Sequence, residues 1–135
     1  MLVRHAIAAD ASLADPVDGF WVNLLITTDR IDHRLKLAHA ASISLDRLRQ
    51  QCPDVVVRTD RIADVGGRLV SVRALEMTAP TSGRQVTMVQ GLTVAPRAEG
   101  AKTRDLFQLT GTCPAAQADT FGPIFVDTIA SFRLT

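Results

Sequence analysis

The clearest hydrophobic pattern in the chain lies between Asp54 and Thr112, where four runs rich in β-branched residues are separated by short turn signals. Gly66 and Gly67 can supply the positive φ angles that a two-residue hairpin turn requires. Proline and glycine mark two longer reversals, Pro80–Gly83 and Pro96–Gly100. Because antiparallel neighbours need only a short connection, this stretch predicts an antiparallel meander.

Two strands and a helix are predicted before the meander. Leu2–Ala9 and Phe20–Thr28 show the alternation that is typical of strands. From about Asp32, apolar residues recur every three or four positions, which indicates a helix with one apolar stripe. We expect Pro53 to end this helix, and the polar start of a new turn near Ser42 is compatible with a break there.

A second helix is predicted between Pro114 and Phe132. Phe121, Phe125 and Phe132 recur at helical spacing, and such an aromatic stripe is typical of sheet-facing core. Gly122 and the proline after it predict an interruption, with a short helical turn before them and a firmer helix after them. A short terminal strand is predicted at 132–134.

The order of elements is therefore strand, strand, helix, four strands, helix and short strand. This order predicts an α+β fold in which an antiparallel sheet of six to seven strands is covered by two main helices, an α/β/α-type sandwich. The 135 residues suit a single domain, 1–135, that is large enough for a hydrophobic core.

Composition narrows the classes of partner. The net charge is +1, and the chain has no Tyr and one Trp, so it lacks both the basic excess and the aromatic platform of a nucleic-acid binder. No run reaches the roughly 18 apolar residues of a membrane span. Charged residues interrupt the first apolar run, which is unlike a signal peptide. We therefore expect a soluble, cytoplasmic protein, and a longer natural N-terminus would make the cell envelope the alternative.

The sequence predicts no catalytic residues, no metal and no cofactor. The three histidines include His33 and His39, whose spacing does not place them together on one helix face. Asp29, Asp32 and His33 are interpreted as a helix cap. Three further aspartates share an early loop, interpreted as solvated and acidic: Asp10, Asp15 and Asp18.

The two cysteines are too far apart in sequence to form a CxxC redox or zinc pair. We interpret Cys52 and Cys113 as reduced, partly buried thiols. A disulfide between them is the alternative, favoured only if the protein is exported.

One charge cluster is a candidate partner-binding site: Arg58, Arg61, Arg68 and Arg73. If the Gly-Gly turn pairs Val65 with Arg68, then Arg61 lies roughly across from Arg73 or its neighbour. Several guanidinium groups would then gather on an exposed sheet face. They would either form a solvated face paired with nearby acids or contact an acidic partner.

The same elements resemble the PsbP-like superfamily. The similarity covers the chain from Phe20 to its end and is carried by LDRLRQQCPD, IADVGGRLVSVRALEM, QVTMVQGLTV, LFQLTGTC and the closing FGPIFVDTIASFRL. It is closest to actinobacterial LpqN/LpqT lipoproteins and DcrB-like proteins, although no lipobox cysteine is present. The resemblance implies the fold and a binding or assembly role, with no shared catalytic residues.

Three functions follow as hypotheses. The first is a non-enzymatic binding or assembly module whose open sheet face or strand edges contact a protein partner, with a homodimer as one form of that contact. The second is a carrier of a small apolar ligand such as a lipid, held between sheet and helices. A cavity under Phe121, Phe125 and Met88 would favour it. The least favoured is an unrecognised enzyme.

Overall fold

The computed structural model describes the backbone of residues 4–10 and the whole of residues 22–133. These residues form an α+β fold with an antiparallel sheet and two helices. The strands are β1 (Arg4–Asp10), β2 (Asn23–Asp32), β3 (Val56–Val65), β4 (Arg68–Thr78), β5 (Gln85–Val94) and β6 (Thr103–Pro114). The helices are α1 (Leu37–Gln51) and α2 (Ala118–Ser131), and a 3-10 turn, Ala115–Gln117, leads into α2.

The strands lie in the order β1-β2-β6-β5-β4-β3, and all neighbours are antiparallel. Since β3 to β6 are consecutive neighbours, the predicted meander is confirmed. Gly66 and Gly67 adopt φ angles of 62° and 84°, which allow the tight turn between β3 and β4. This turn pairs Val65 with Arg68, as predicted, and places Arg61 opposite Val72, the neighbour of Arg73.

The predicted count of six to seven strands is not matched within residues 22–133, where five strands form. The backbone of β1 pairs with β2 and lies at the outer end of the strand order. The terminal strand expected at 132–134 is wrong for its described part, because Phe132 and Arg133 follow α2 without strand pairing. The ring of Phe132 instead packs on Phe107, with centroids 5.6 Å apart. Leu134 lies outside the described residues.

The boundary between β2 and α1 differs from its prediction. β2 continues to Asp32 because its whole length pairs with β6, and Ile31 is buried at 3% exposure beside α1. The helix therefore begins at Leu37 instead of near Asp32, and it continues past Ser42 without a break. It ends at Gln51, shortly before Pro53, the residue that was predicted to end it. The first residues of both early predicted strands lie outside the described residues.

The interruption expected at Gly122 is also wrong, since α2 runs through it and through Pro123. A proline inside a helix removes one backbone hydrogen bond. Here Pro123 is exposed, so its ring does not disturb the packed face of the helix. Burial of Phe125 and Ile129, at 1% and 2% exposure, holds the two halves of α2 against the same sheet.

The helices cover opposite faces of the sheet. On β5, Val89 packs in one cluster with Phe125 and Ile129 of α2, whereas Leu92 packs with Ala40 and Ala41 of α1. Successive side chains of a strand point to opposite faces, so odd and even positions of β5 serve different helices. This explains why Val89 breaks the simple alternation of the β5 sequence. The order of layers is helix, sheet, helix.

Two glycines let α2 approach the sheet closely. A methyl group at Gly111 would overlap the ring of Phe125, and one at Gly91 would overlap the side chain of Ile129. Each of these two helix side chains thus lies over a strand residue that has no side chain. The sequence pattern gave no sign of this pairing, because both glycines fall inside strand runs where glycine usually weakens a strand.

We expect Gly111→Ala to lower the free energy of unfolding by about 1–3 kcal/mol, since the added methyl group forces Phe125 from its position. Urea denaturation followed by circular dichroism measures the change. Gly122→Ala is the matched control, because nothing lies within 4 Å of its added carbon. A helical glycine replaced by alanine should be neutral or stabilising by up to about 1 kcal/mol. Equal destabilisation by both changes would contradict the close approach at Gly111.

Cys52 and Cys113 are both free and buried. Cys113 packs with Phe125 in the cluster beneath α2, and Cys52 packs with Leu75 in a cluster that α1 covers. The two thiols therefore lie on opposite sides of the sheet, and the alternative disulfide is not formed. Burial raises the pKa of both thiols, that of Cys113 to about 11.

We expect stability to fall as the pH rises from about 9 to about 11. The raised pKa of Cys113 means that the folded protein keeps a proton that the unfolded chain releases above pH 9.0. Ionisation therefore favours unfolding in this window, by at most about 2–3 kcal/mol. The chain has no Tyr to obscure the effect. Urea denaturation at several pH values should show a smaller fall for Cys113→Ala, and an identical fall would refute the assignment.

Candidate binding groove beside helix α2

Strands β3 and β4, with their turn, form a ribbon at one edge of the sheet, named here the β3–β4 ribbon. Helix α1 packs on β4 and β5, and α2 packs on β5 and β6. Neither helix therefore covers β3, the last strand of the sheet. Two of its apolar residues stay accessible, since Val56 is 44% exposed and Ile62 is 50% exposed, and Leu69 on β4 is 56% exposed.

On the α2 side, the uncovered part of the ribbon and the flank of the helix enclose a groove of about 440 Å³, named here the α2 groove. It forms because α2 lies mainly over β5 and β6 and leaves part of β4 open. Small residues of α2 face it, which keeps the space open. Its apolar walls are Val72, Ala74, Val89, Ala118, Gly122 and Val126. This volume falls in the usual range for small-molecule sites.

Polar side chains stand at the margins of the α2 groove. On β3, the Nη2 of Arg58 donates to Glu76 Oε2 at 2.7 Å, and this ion pair raises the pKa of the Arg58 guanidinium. Arg61 lines the same wall and has no hydrogen-bond or ion-pair partner among the described residues. On β5, Thr87 is 7% exposed, and its hydroxyl has no partner within the described part of the chain.

The four arginines predicted as a partner-binding cluster are not gathered on one face. Arg58 and Arg61 are exposed and line the α2 groove. Arg68 lies near the end of α2, where its Nη2 donates to the Phe132 carbonyl oxygen at 2.5 Å. Its guanidinium lies 5.5 Å from the centroid of the Phe132 ring. Arg73 is buried at 1% exposure on the opposite face, beneath α1. Alternation along β4 separates the last two, since they lie five positions apart.

Arg73 is the centre of a buried polar network. Its Nε donates to Gln90 Oε1 at 2.7 Å, its Nη1 to the Ala41 carbonyl oxygen at 2.7 Å, and its Nη2 to Ser44 Oγ at 3.2 Å. Ser44 in turn donates to Gln108 Oε1 at 2.9 Å. Burial lowers the pKa of the guanidinium, and the charge of Asp60 opposes that shift. The network fastens α1 to the sheet.

A second space of about 370 Å³, the α1 pocket, lies between α1 and the β3–β4 ribbon. The side of α1 that faces it carries Ala38, Ala41 and Ser42, which are too small to fill the gap. Asp60 and Arg61 line its outer wall. These opposite charges at the rim give the pocket a mixed character, unlike the apolar walls of the α2 groove.

The other groups singled out in the sequence do not assemble into a site among the described residues, where no three His, Cys, Asp or Glu side chains come together. Asp32 does not cap α1; it accepts hydrogen bonds from the backbone and side chain of Arg34, which hold its pKa well below its usual range. The helix instead begins after Lys36 with no side-chain cap. Asp29 lies buried in β2. Asp15 and Asp18 lie outside the described residues.

The cavity under Phe121, Phe125 and Met88 that would favour a ligand carrier is not formed. The two phenylalanines pack beneath α2, while Met88 packs beside Leu45 and Leu48 of α1. The α2 groove lies to one side of this position, over β4. Along the same strands, residues that line the groove alternate with core residues of the α1 face. The spacing of residues in the sequence therefore could not distinguish groove-lining residues from core residues.

The class of protein that this structure defines is an α+β fold with an antiparallel sheet and two helices. Within the described residues, no helix has the length and apolar character needed to cross a membrane. No model of a protein family matches the sequence, and no curated protein matches it.

Solved structures do match the fold. The protein PA94 of Pseudomonas aeruginosa, of unknown function and described as a candidate regulator, is similar over 100% of this chain and 83% of its own, with 12% identity and a TM-score of 0.59. LpqN of Mycobacterium tuberculosis, involved in cell envelope biogenesis, is similar over 82% of this chain and 61% of its own, with 14% identity and a TM-score of 0.59. At these identities the similarity shows the fold alone.

Proposed function

We propose that this chain is a non-enzymatic binding module of PsbP-like type that contacts a protein partner through the β3–β4 ribbon. The observation that carries the proposal is the exposure of Ile62 and Leu69, at 50% and 56%, on a ribbon whose outer strand has no extensive contact with either helix. Exposed apolar side chains of this size, set among charges, favour contact with a partner. The fold shared with LpqN supports the PsbP-like type of the proposed module.

The partner would contact side chains of the ribbon, since the backbone edge of β3 is poorly suited to pairing with another strand. The register shifts between Val57 and Thr59, which bends the edge. Charged residues at Arg58, Asp60 and Asp64 also lie along this strand. Bulges and charges are the features by which natural sheets discourage strand addition at an edge. Arg61, which has no ion-pair partner among the described residues, adds a positive charge that would suit an acidic partner surface.

Affinity capture from the native organism, with mass spectrometry of the captured proteins, tests this proposal. We expect Ile62→Glu to abolish capture of a partner that the unaltered chain retains. Ile124→Glu is the matched control, because Ile124 is 44% exposed, close to the 50% of Ile62, but lies on α2. Light scattering of the purified chain measures its molar mass and so detects a homodimer, in which the partner is a second copy of the chain. A partner retained by Ile62→Glu and lost by Ile124→Glu would place the contact on α2 instead.

A second function, the carrier of a small apolar ligand, is favoured by the α2 groove itself. The groove is lined mainly by apolar side chains and is open at the edge of the sheet. We expect Val126→Trp to fill it and to prevent a ligand from copurifying with the protein, as measured by mass spectrometry of organic extracts. Ile124→Trp adds the same ring to the same helix and should leave the extracted ligand unchanged. A ligand lost equally from both variants would point away from the groove.

From the sequence, we propose that the protein is located in the cytoplasm. The fold shared with LpqN, which is involved in cell envelope biogenesis, supports the alternative location in the cell envelope. Fractionation of the native organism with an antibody against this chain distinguishes the two. Recovery with the membrane and wall fractions would favour the envelope.

A further inference from the structure

The polar groups of the α2 groove are placed at its two ends. Arg61 lies on β3, at the open edge of the sheet, and Thr87 lies on β5, next to where α2 closes over the strands. Between them β4 contributes Val72 and Ala74, and α2 contributes Val126. A molecule that crosses the groove therefore meets a cation first, then apolar walls, and finally a hydroxyl.

The hydroxyl of Thr87 is the observation that points to a polar ligand group at the inner end. Thr87 is 7% exposed, and its Oγ1 makes no hydrogen bond to the described residues. A buried hydroxyl without a partner destabilises the folded state. The equivalent position on β4, Glu76, pairs with Thr87 in the strand register but directs its carboxylate to Arg58. A ligand donor or acceptor would satisfy the hydroxyl.

The two arginines of β3 differ in what they can offer. Arg58 is already neutralised by Glu76, with 2.7 Å between Nη2 and Oε2. Arg61 has no ion-pair partner among the residues described, so its charge at the rim is available to an anion. A planar guanidinium is well matched to a carboxylate, with which it can form two parallel hydrogen bonds. The outer end of the groove therefore suits a carboxylate.

The distance between the two ends limits the length of the ligand. From β3 to β5 there are two strand spacings, or about 10 Å, and Thr87 lies four residues, or about 13 Å, along β5 from Gly91, the position level with Arg61. The two backbone positions are therefore roughly 16 Å apart. An extended aliphatic chain of about eight carbons spans most of this distance, and the long side chain of Arg61 reaches over the remainder. Its methylene groups would lie on Val72, Ala74 and Val89, beneath Val126. Burying them would supply the apolar part of the binding energy.

We propose that the α2 groove binds an amphipathic monocarboxylate of medium chain length that carries a hydrogen-bonding group at its far end. Its carboxylate pairs with Arg61, its chain lies on the apolar walls, and its terminal hydroxyl bonds to Thr87. This inference rests on the second function proposed above, the ligand carrier. It adds the charge, the length and the polar end of the ligand.

Chemical-shift titration of the isotopically labelled full chain with three probes tests the proposal: 8-hydroxyoctanoate, octanoate and octanol. We expect 8-hydroxyoctanoate to bind with the highest affinity and to shift the amide signals of Val72, Val89 and Val126. Octanoate should bind less tightly because it leaves Thr87 without a partner. Octanol should bind about tenfold more weakly than 8-hydroxyoctanoate, the loss expected for a charge-assisted hydrogen bond.

Two variants assign the ends of the ligand. Arg61→Ala should remove the preference for octanoate over octanol, and Arg97→Ala, another exposed arginine far along the chain, should leave it unchanged. Thr87→Val should remove the preference for 8-hydroxyoctanoate over octanoate. It should also raise the melting temperature of the free protein, because a buried unsatisfied hydroxyl is replaced by a methyl group. This second readout shows that the variant has folded.

The outcomes separate this inference from the carrier function. If all three probes bind the α2 groove equally well, the groove takes apolar ligands but the carboxylate assignment is overturned. If no probe shifts signals of the groove, both the inference and the carrier function fail, and the protein-partner function is unaffected. Preference for the carboxylate that survives Arg61→Ala would also overturn the assignment.

Discussion

Phe125→Ala should lower the free energy of unfolding by about 3–5 kcal/mol, the usual loss for a truncated buried aromatic ring. Phe125 is 1% exposed and lies over Gly111, in the same cluster as Val89 and Leu109. Phe121 stacks on it with centroids 6.5 Å apart. Removing the ring leaves a cavity at the contact between α2 and the centre of the sheet.

Urea denaturation monitored by circular dichroism measures this loss as a lower midpoint. Ile124→Ala is the matched control, because it truncates the preceding residue of the same helix at a site that is 44% exposed. It should change stability by less than about 1 kcal/mol. The core assignment would be contradicted by a midpoint for Phe125→Ala equal to that of the unaltered chain. Gly111→Ala should lower the free energy of unfolding less in the Phe125→Ala variant than in the unaltered chain, because the ring that the added methyl group would overlap is gone.

Arg73→Ala should lower the free energy of unfolding by about 2–5 kcal/mol. The change leaves Gln90 Oε1 and Ser44 Oγ without the donor that they face at 2.7 and 3.2 Å, and buried acceptors that lose a partner each cost about 1–3 kcal/mol. It also removes the contact to the Ala41 carbonyl oxygen, which joins α1 to the sheet. Water entering from the adjacent α1 pocket would reduce the loss towards the lower end of this range.

Two comparisons isolate the cause. Arg61→Ala removes an exposed arginine from the neighbouring strand and should change stability by no more than about 0.5 kcal/mol. Arg73→Met keeps most of the apolar volume but removes every donor, so it reports the hydrogen bonds without the cavity. If Arg73→Met matches the unaltered chain, the buried cation contributes nothing net to stability, as is known for some buried charges. Hydrogen exchange should then still show whether α1 opens more readily.

Arg73 and Arg61 also differ in a way that the sequence alone does not determine. In sequence the two are similar arginines in a charged stretch, and both were expected on an exposed face. The register places Arg61 opposite Val72 and Arg73 opposite Asp60, on different faces of the sheet. Whether a face is exposed depends on where the helices lie, and that depends on contacts distant in sequence, such as Arg73 with Ala41 and Gln90.

The prediction for the second helix was limited by the same cause. Phe121, Phe125 and Phe132 were expected as one packed stripe, and all three belong to the cluster beneath α2. The break expected at Gly122 was wrong because local propensity was outweighed by the burial of side chains on both sides of it. The start of α1 was misplaced for a related reason, since pairing with β6 extends β2 to Asp32.

The sequence by itself determined the meander, its turns and the two helices, because alternation, turn residues and helical spacing are local signals. Gly66 and Gly67 illustrate this, since their positive φ angles follow from the turn alone. Only the tertiary structure decided which helix covers which face, how closely α2 approaches Gly111, and that a groove remains open over β4. These features arise where residues far apart in the chain meet, and the sizes and charges of both partners decide them together.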